Sequence, residues 1–174
     1  LTAEGLTRKA DAAMYRAKET GRNRYSFVSG ETEAANKERL EMDLELRRAV
    51  EGSTLALHYQ PIVEPDGRIV AAEALLRWKR DASGAPTLPS RSIPLAEETG
   101  LILRLGEFAL REACRTAAAW NARGREIRIS VNVSAKQFES EDLARLVAES
   151  LRDSGLPPRL LDIEIPESTL MADV

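Results

Sequence analysis

What most limits the architecture of this chain is the alternation, in its second half, of segments with a two-residue hydrophobic period and segments with a helical one. From Glu126 to Ser134, Ile127, Ile129, Val131 and Val133 take one set of alternate positions, and Arg128, Ser130, Asn132 and Ser134 take the other. Successive side chains of a strand point to opposite faces, so this predicts a strand with one greasy and one polar face. The pattern returns in the strand predicted over Leu160 to Ile165, where Ile163 and Ile165 oppose Asp162 and Glu164. A helical stretch from Glu141 to Asp153 lies between the two. Strand, helix, strand implies a crossover connection, which lays the two strands side by side and parallel in one sheet.

Upstream, Leu55 to Val63 and Arg68 to Trp78 read as strands around the turn Pro65-Asp66-Gly67, which predicts an antiparallel hairpin. In the second of these, Glu73 and Arg77 share a face with Ile69, Ala71 and Leu75, so a carboxylate sits within an otherwise apolar run. A loop rich in Gly, Pro and Ser leads to a long helical region from about Pro94 to Ala122, expected to break or bend near Gly100 and Gly106. At the start of the chain, Leu6 to Thr20 reads as a helix with Ala10, Ala13, Met14 and Ala17 at three-and-four spacing and Gly21 as its stop. A short strand, Arg24 to Val28, follows. Next comes a charged helix entered at Ser29-Gly30-Glu31-Thr32, with Leu40, Leu44, Leu46 and Val50 as its apolar positions before Gly52, expected to link two units. Helix-covered strands with polar groups near their C-terminal ends suit a β/α barrel, and a half-exposed sheet is the plainer alternative.

The composition narrows the chemistry. One cysteine, Cys114, excludes an internal disulfide or thiolate cluster and fits a reducing compartment. With His58 as the sole histidine there is no nitrogen and sulfur set for zinc, so any metal must be held by oxygen. A single strand carboxylate or amide is ordinarily a solvent-facing or satisfied polar group. Glu73, Asn132 and Glu164, near the ends of three successive strands, together suggest a hard-cation site for Mg2+ or Mn2+. His58 and the two tryptophans, Trp78 and Trp120, are read as packing groups rather than as a general base or base-stacking platforms. A net charge of -3 gives no reason to expect a nucleic acid polymer as partner. No apolar run approaches the roughly 20 residues of a bilayer helix, so this stretch is read as having no membrane segment and as cytoplasmic, with an anchor conceivable only upstream. A length of 174 residues allows one domain or parts of two. Leu1 in place of Met, and an end soon after a strand-like run, read as a piece cut from a longer protein.

The same residues carry a resemblance. Tyr59-Gln60-Pro61-Ile62-Val63, Glu73-Ala74-Leu75-Leu76-Arg77-Trp78, Ile93-Pro94-Leu95-Ala96-Glu97 with Gly100-Leu101-Ile102, Ser130-Val131-Asn132-Val133-Ser134 with Gln137-Phe138, and Glu164-Ile165-Pro166-Glu167-Ser168 with Leu170-Met171 follow the order and spacing of the EAL domain. The chain from about Glu38 onward resembles the N-terminal half of that domain. Ahead of it, Ala10-Asp11-Ala12-Ala13-Met14-Tyr15-Arg16-Ala17-Lys18 and Gly21-Arg22-Asn23-Arg24-Tyr25 resemble the closing helix and strand of a GGDEF diguanylate cyclase domain. The expected organisation is a GGDEF remnant at 1–29, a linker helix at 30–52 and a truncated EAL domain at 53–174. The expected fold class is α/β, a partial TIM-like (β/α) barrel of the EAL type whose first strand is antiparallel.

The EAL resemblance implies hydrolysis of cyclic di-GMP to a linear dinucleotide with two divalent cations, Mg2+ or Mn2+. The matching positions are Glu73, Asn132 and Glu164 as metal ligands, Gln60 and Arg77 as substrate contacts, and Glu167 as the carboxylate that braces the catalytic loop. In the GGDEF remnant, Lys18 and Arg22 match positions that reach GTP phosphates. The family's Asp-Asp pair, its active-site Lys and its later Glu and Gln would fall beyond Val174, so the general base has no counterpart here and this stretch alone is expected to be inactive and poorly stable. An intact parent is expected to be a homodimer. Lys79-Arg80, Ser92 and Pro166 depart from the usual His-Pro, Phe and Thr, and Pro166 removes a main-chain donor between Glu164 and Glu167. Two other functions compete with hydrolysis: a non-catalytic EAL domain that senses cyclic di-GMP, and a parent acting mainly through its GGDEF domain.

Overall fold

The computed structural model describes residues 3–19, 30–52, 54–79, 86–87 and 92–165. It divides into two compact units, Leu1–Glu45 and Leu46–Val174.

The first unit holds helix α1 (Ala3–Glu19) and most of α2 (Gly30–Glu51). The Arg39 guanidinium lies 4.8 Å over the Tyr15 ring and donates from Nη2 to its hydroxyl at 3.3 Å, a cation–π contact between the two helices. Leu46 is buried as expected, and several other expected apolar positions are corrected here. Ala10 and Met14 are exposed on α1. Among the described side chains of α2 the buried ones are Met42, Leu46 and Ala49, spaced four and three apart, whereas Leu40 and Leu44 face outward. Residues two apart on a helix lie more than half a turn away, which puts Leu40 and Leu44 opposite that stripe. The strand expected over Arg24 to Val28 lies outside the described residues.

In the second unit β1 (Leu55–Val63) and β2 (Ile69–Lys79) form the predicted antiparallel hairpin, Leu55 opposite Trp78 and Ile62 opposite Ala71. Its turn closes by hydrogen bonds from the Gly67 N–H to the Glu64 carbonyl (2.8 Å) and from the Glu64 N–H to the Arg68 carbonyl (2.9 Å), with Gly67 at φ 85°. The positive φ explains the glycine. After β3 (Pro86–Thr87) come α3 (Ser92–Thr99), α4 (Leu101–Asn121), β4 (Arg128–Asn132), α5 (Ala135–Phe138), α6 (Leu143–Ser154), a 3-10 turn (Pro158–Leu160) and β5 (Leu161–Glu164). The sheet order is β1-β2-β4-β5, with β4 parallel to both β2 and β5, as the alternation required. The α/β fold with an antiparallel first strand matches the expectation.

Several details differ. The two-residue β3 sits within the segment read as a loop and pairs with Trp78 and Lys79, which extend past the Ala71–Ala74 stretch joined to β4. Their main-chain groups there need a partner, and β3 provides it. The long helical region is two helices: Gly100 separates them at φ 77°, but Gly106 lies unbroken inside α4. Strand β4 starts at Arg128 rather than Glu126 because the Asn121 side chain holds both main-chain groups of Ile127, each at 3.1 Å. Helix α5 was not anticipated, although Ser134-Ala135-Lys136-Gln137 carries the capping-box spacing.

The core lies between the sheet and α4. Ala72 and Ala74 of β2, with Ile129 and Val131 of β4, meet Ala109, Leu110, Ala113, Cys114 and Ala117. The small residues let helix and sheet approach closely, and burying Leu110 contributes about 1.5–3 kcal/mol. Trp78 is 2% exposed and belongs to the core as expected. Trp120 packs edge-on to Tyr59 with ring centroids 4.9 Å apart, and the Tyr59 hydroxyl donates to Thr116 Oγ1 at 2.9 Å. Burial of Tyr59 pushes its phenol up, partly offset by that hydrogen bond. On the flank, Arg111 of α4 reaches Glu149 (3.0 Å) and Asp153 (3.3 Å) of α6, and Arg145 also bonds Glu149 at 3.0 Å.

Candidate metal and phosphate site

Pairing registers decide which side chains share a face, because residues directly opposite in a sheet project the same way. Leu57 opposes Leu76 and Tyr59 opposes Ala74 on the helix-covered side. On the other side a row crosses all four long strands: Gln60 opposite Glu73, Glu73 beside Ser130, and Ser130 beside Asp162. One alternation further along β4 and β5, Asn132 stands beside Glu164. Four of the predicted site residues therefore occupy two adjoining rows of one face.

Side-chain contact joins two of them. Asn132 Nδ2 donates to Glu73 Oε1 at 2.7 Å, across 59 positions of sequence. Glu73 is half-buried, and Asn132, Gln60 and Glu164 are exposed. The Glu164 carbonyl accepts from the Val133 N–H at 2.8 Å, which ties β5 to the chain just after Asn132. Neighbouring strands lie about 4.8 Å apart, so the Asn132 and Glu164 side chains spring from positions within reach of one cation. Arg77 lies two alternations beyond Glu73 on the same face, half-buried, and its Nη1 donates to the Leu76 carbonyl at 2.8 Å. Lys18 is exposed on α1 in the first unit. Arg22 and Glu167 lie outside the described residues, as do Arg80 and Pro166.

Two readings of this face need correcting. His58, read as a packing residue, is exposed and stands opposite Leu75, because among the described residues β1 is paired on one side only, with β2. Ser130, read as part of a polar face, is 3% exposed and its Oγ is buried without a hydrogen bond. It is flanked by Glu73 and Asp162, and Asp162 is itself paired with Arg128 at 3.1 Å. Alternation assigns a side chain to a face but is blind to what its neighbours cover.

Among the described residues no three His, Cys, Asp or Glu side chains gather into a metal-holding group. The set here has a different make-up, two carboxylates and a carboxamide. Such oxygen donors suit a hard cation that retains several waters. The buried, unpartnered hydroxyl of Ser130 beside Glu73 adds an oxygen that a hydrated ion could satisfy.

No helix among the described residues is long and apolar enough to cross a membrane. Comparison with known proteins adds the ancestry. The EAL domain family model matches residues 43–174. Over 174 residues the chain is 43% identical to a Pseudomonas aeruginosa protein named bifunctional diguanylate cyclase/cyclic di-GMP phosphodiesterase MucR, covering 99% of this chain and 25% of that one. It is 34% identical over 166 residues to the Escherichia coli protein named cyclic di-GMP phosphodiesterase PdeR, covering 95% and 25%. A solved structure described as the PaMucR phosphodiesterase in complex with c-di-GMP superposes with a TM-score of 0.72 at 41% identity, over 76% of this chain and 54% of that one. The chain thus spans about a quarter of the length of these curated relatives. With a match across most of its length and an open sheet face carrying the motif residues, the chain belongs to the EAL-domain family.

Proposed function

We propose that this chain forms part of the active site of a cyclic di-GMP phosphodiesterase, in which Glu73, Asn132 and Glu164 hold Mg2+ or Mn2+ and Gln60 and Arg77 contact the substrate. The observation that carries the reading is the 2.7 Å contact between Asn132 and Glu73, beside Glu164, on the face of the sheet away from the helices. The names of MucR and PdeR, and the c-di-GMP complex of the similar MucR structure, support the substrate class.

Bound divalent cations would acidify a water for attack on the phosphodiester and neutralise charge on its oxygens. The chain's own residues prepare that chemistry. Glu73 and Glu164 supply carboxylate oxygens. Asn132 supplies a neutral oxygen once its amide turns, because the group that now donates to Glu73 is the nitrogen. Arg77 presents a planar guanidinium able to grip a phosphate through two parallel hydrogen bonds, about 13 Å along the strand from Glu73, a span comparable with the dinucleotide. Glu167 is the counterpart of the carboxylate that braces the family's catalytic loop further along the chain. Residues 1–29 are a GGDEF remnant in which Lys18 and Arg22 match positions that reach GTP phosphates in that family, 30–52 a linker helix, and 53–174 the EAL part of a cytoplasmic homodimeric protein.

The test gives the full-length protein cyclic di-GMP with Mg2+ and follows the linear dinucleotide. Glu73→Gln is expected to lower turnover at least about 100-fold at fixed Mg2+, and removing metal with a chelator should abolish it reversibly. Equal turnover by the variant would reject Glu73 as a ligand, and tight nucleotide binding without product would favour the sensor reading.

A further inference from the structure

Helix α4 runs unbroken through Gly106, a residue type that disfavours a helix interior, and the space it leaves is filled. A Cβ there would lie 1.6 Å from Gln137 Nε2 and 2.6 Å from its Cδ. Gln137 is accordingly 6% exposed, its carboxamide seated directly on the helix. Its other atoms are engaged just past β4. Oε1 accepts from the Ser134 N–H at 3.2 Å, while the Gln137 N–H points back to Ser134 Oγ at 3.4 Å. Helix α5, which these bonds begin, has only four residues and is too short to hold itself in place. A second tie comes from Lys136, whose Nζ donates to the Glu97 carbonyl of α3 at 2.7 Å.

Ser134 stands two residues after Asn132, and the residue between them, Val133, is bound through its N–H to β5. We infer that Gln137, seated in the gap at Gly106, is a positioning residue for Asn132: it ties the end of β4 to the rigid α4 so that the Asn132 amide meets a divalent cation together with Glu73. The inference rests on the metal-site reading proposed above. Mg2+ accepts ligand oxygens only near about 2.1 Å in an octahedral array. A site of that kind tolerates roughly 0.5 Å of slack in its supports. Main-chain play at Ser134 reaches Asn132 within two residues, whereas an ordinary solvent-exposed capping box would leave the whole short helix free to move. The buried seat against α4 is what turns a local cap into an anchor.

The experiment measures Mn2+ binding to the full-length protein without nucleotide, by calorimetry or by the resonance of free Mn2+, beside turnover and the melting of the metal-free protein. Gln137→Met keeps the length of the side chain and loses the acceptor. It should weaken Mn2+ binding ~10-fold or more, with turnover at saturating metal within ~3-fold of the parent. Gln137→Glu keeps the acceptor and should restore the affinity. Gly106→Ala, which displaces the carboxamide from α4, should weaken binding as Gln137→Met does. Lowered melting with unchanged Mn2+ affinity in Gln137→Met would overturn the inference. If that variant does not fold, unchanged affinity in Gly106→Ala does the same. Glu73→Gln separates the two claims. Loss of Mn2+ there, with the Gln137 and Gly106 variants unaffected, refutes the positioning role alone. Unchanged Mn2+ binding by Glu73→Gln refutes the site, and the positioning role with it.

Discussion

The contact between Asn132 and Glu73 predicts an unequal response to two replacements of the same shape. Asn132→Leu deletes a hydrogen bond to a carboxylate, whereas Asn132→Asp deletes it and also places a second negative charge where the amide nitrogen stood, 2.7 Å from Glu73 Oε1. At neutral pH two unit charges at that separation repel by about 1.5 kcal/mol in water and about 6 kcal/mol at an effective dielectric of 20. Relaxation to about 4 Å reduces these to about 1 and 4 kcal/mol. Asn132 is exposed and Glu73 half-buried, so the lower part of that range applies, about 1–2 kcal/mol. In a chain of this size about 1 kcal/mol moves the melting temperature by about 2–4 °C. Asn132→Asp should therefore melt about 2–8 °C below Asn132→Leu at low ionic strength and pH 7.5. Added NaCl should narrow the gap, and millimolar Mg2+ should reverse it, because a cation prefers the extra carboxylate. The melt is readable by tryptophan fluorescence, since Trp78 and Trp120 both lie in the second unit. Equal melting of the two variants at low salt would refute the geometry, and an unreversed gap in Mg2+ would refute the cation site.

Two further outcomes follow from the packing. Arg145 and Arg111, by hydrogen-bonding Glu149, hold its carboxyl below the usual range. A depressed folded value means that its contribution is present above the ordinary glutamate value, about 4.3, and is lost as pH falls through the depressed one. Denaturant melts should show Glu149→Gln destabilised at pH 6 and converging with the parent toward pH 3, and parallel curves would contradict this. Cys114 is buried against the sheet, which pushes its thiol up to about 11. It should resist a disulfide reagent at pH 8 until the unit unfolds, and rapid labelling of the folded chain would contradict its burial.

Much of the architecture was legible because it depends on periodicity. Alternating residues in 126–134 and 160–165 foretold two parallel strands, and Pro65-Asp66-Gly67 foretold the hairpin. Glu73, Asn132 and Glu164 were legible as candidates because oxygen-bearing side chains recur on the same face of successive strands. Where expectation failed, a long-range contact had overruled a local signal. Gly106 reads as a helix breaker by propensity, yet α4 keeps it to admit a side chain from 31 positions downstream, a substitution that costs a helix interior about 0.5–1 kcal/mol relative to alanine. Leu40, Leu44, Leu46 and Val50 read as the apolar positions of one helix, and of these Leu46 joins Met42 and Ala49 in the covered stripe whereas Leu40 and Leu44 face outward.

Residue order alone determined the four long strands of the sheet, their directions and the face on which Gln60, Glu73, Asn132 and Glu164 project, since these follow from steric alternation and connection length. Only tertiary structure decided that Asn132 touches Glu73, that Ser130 is covered while His58 is not, and that Gln137 rests on Gly106. Those facts belong to pairs of residues brought together by folding, and neither member of a pair encodes its partner.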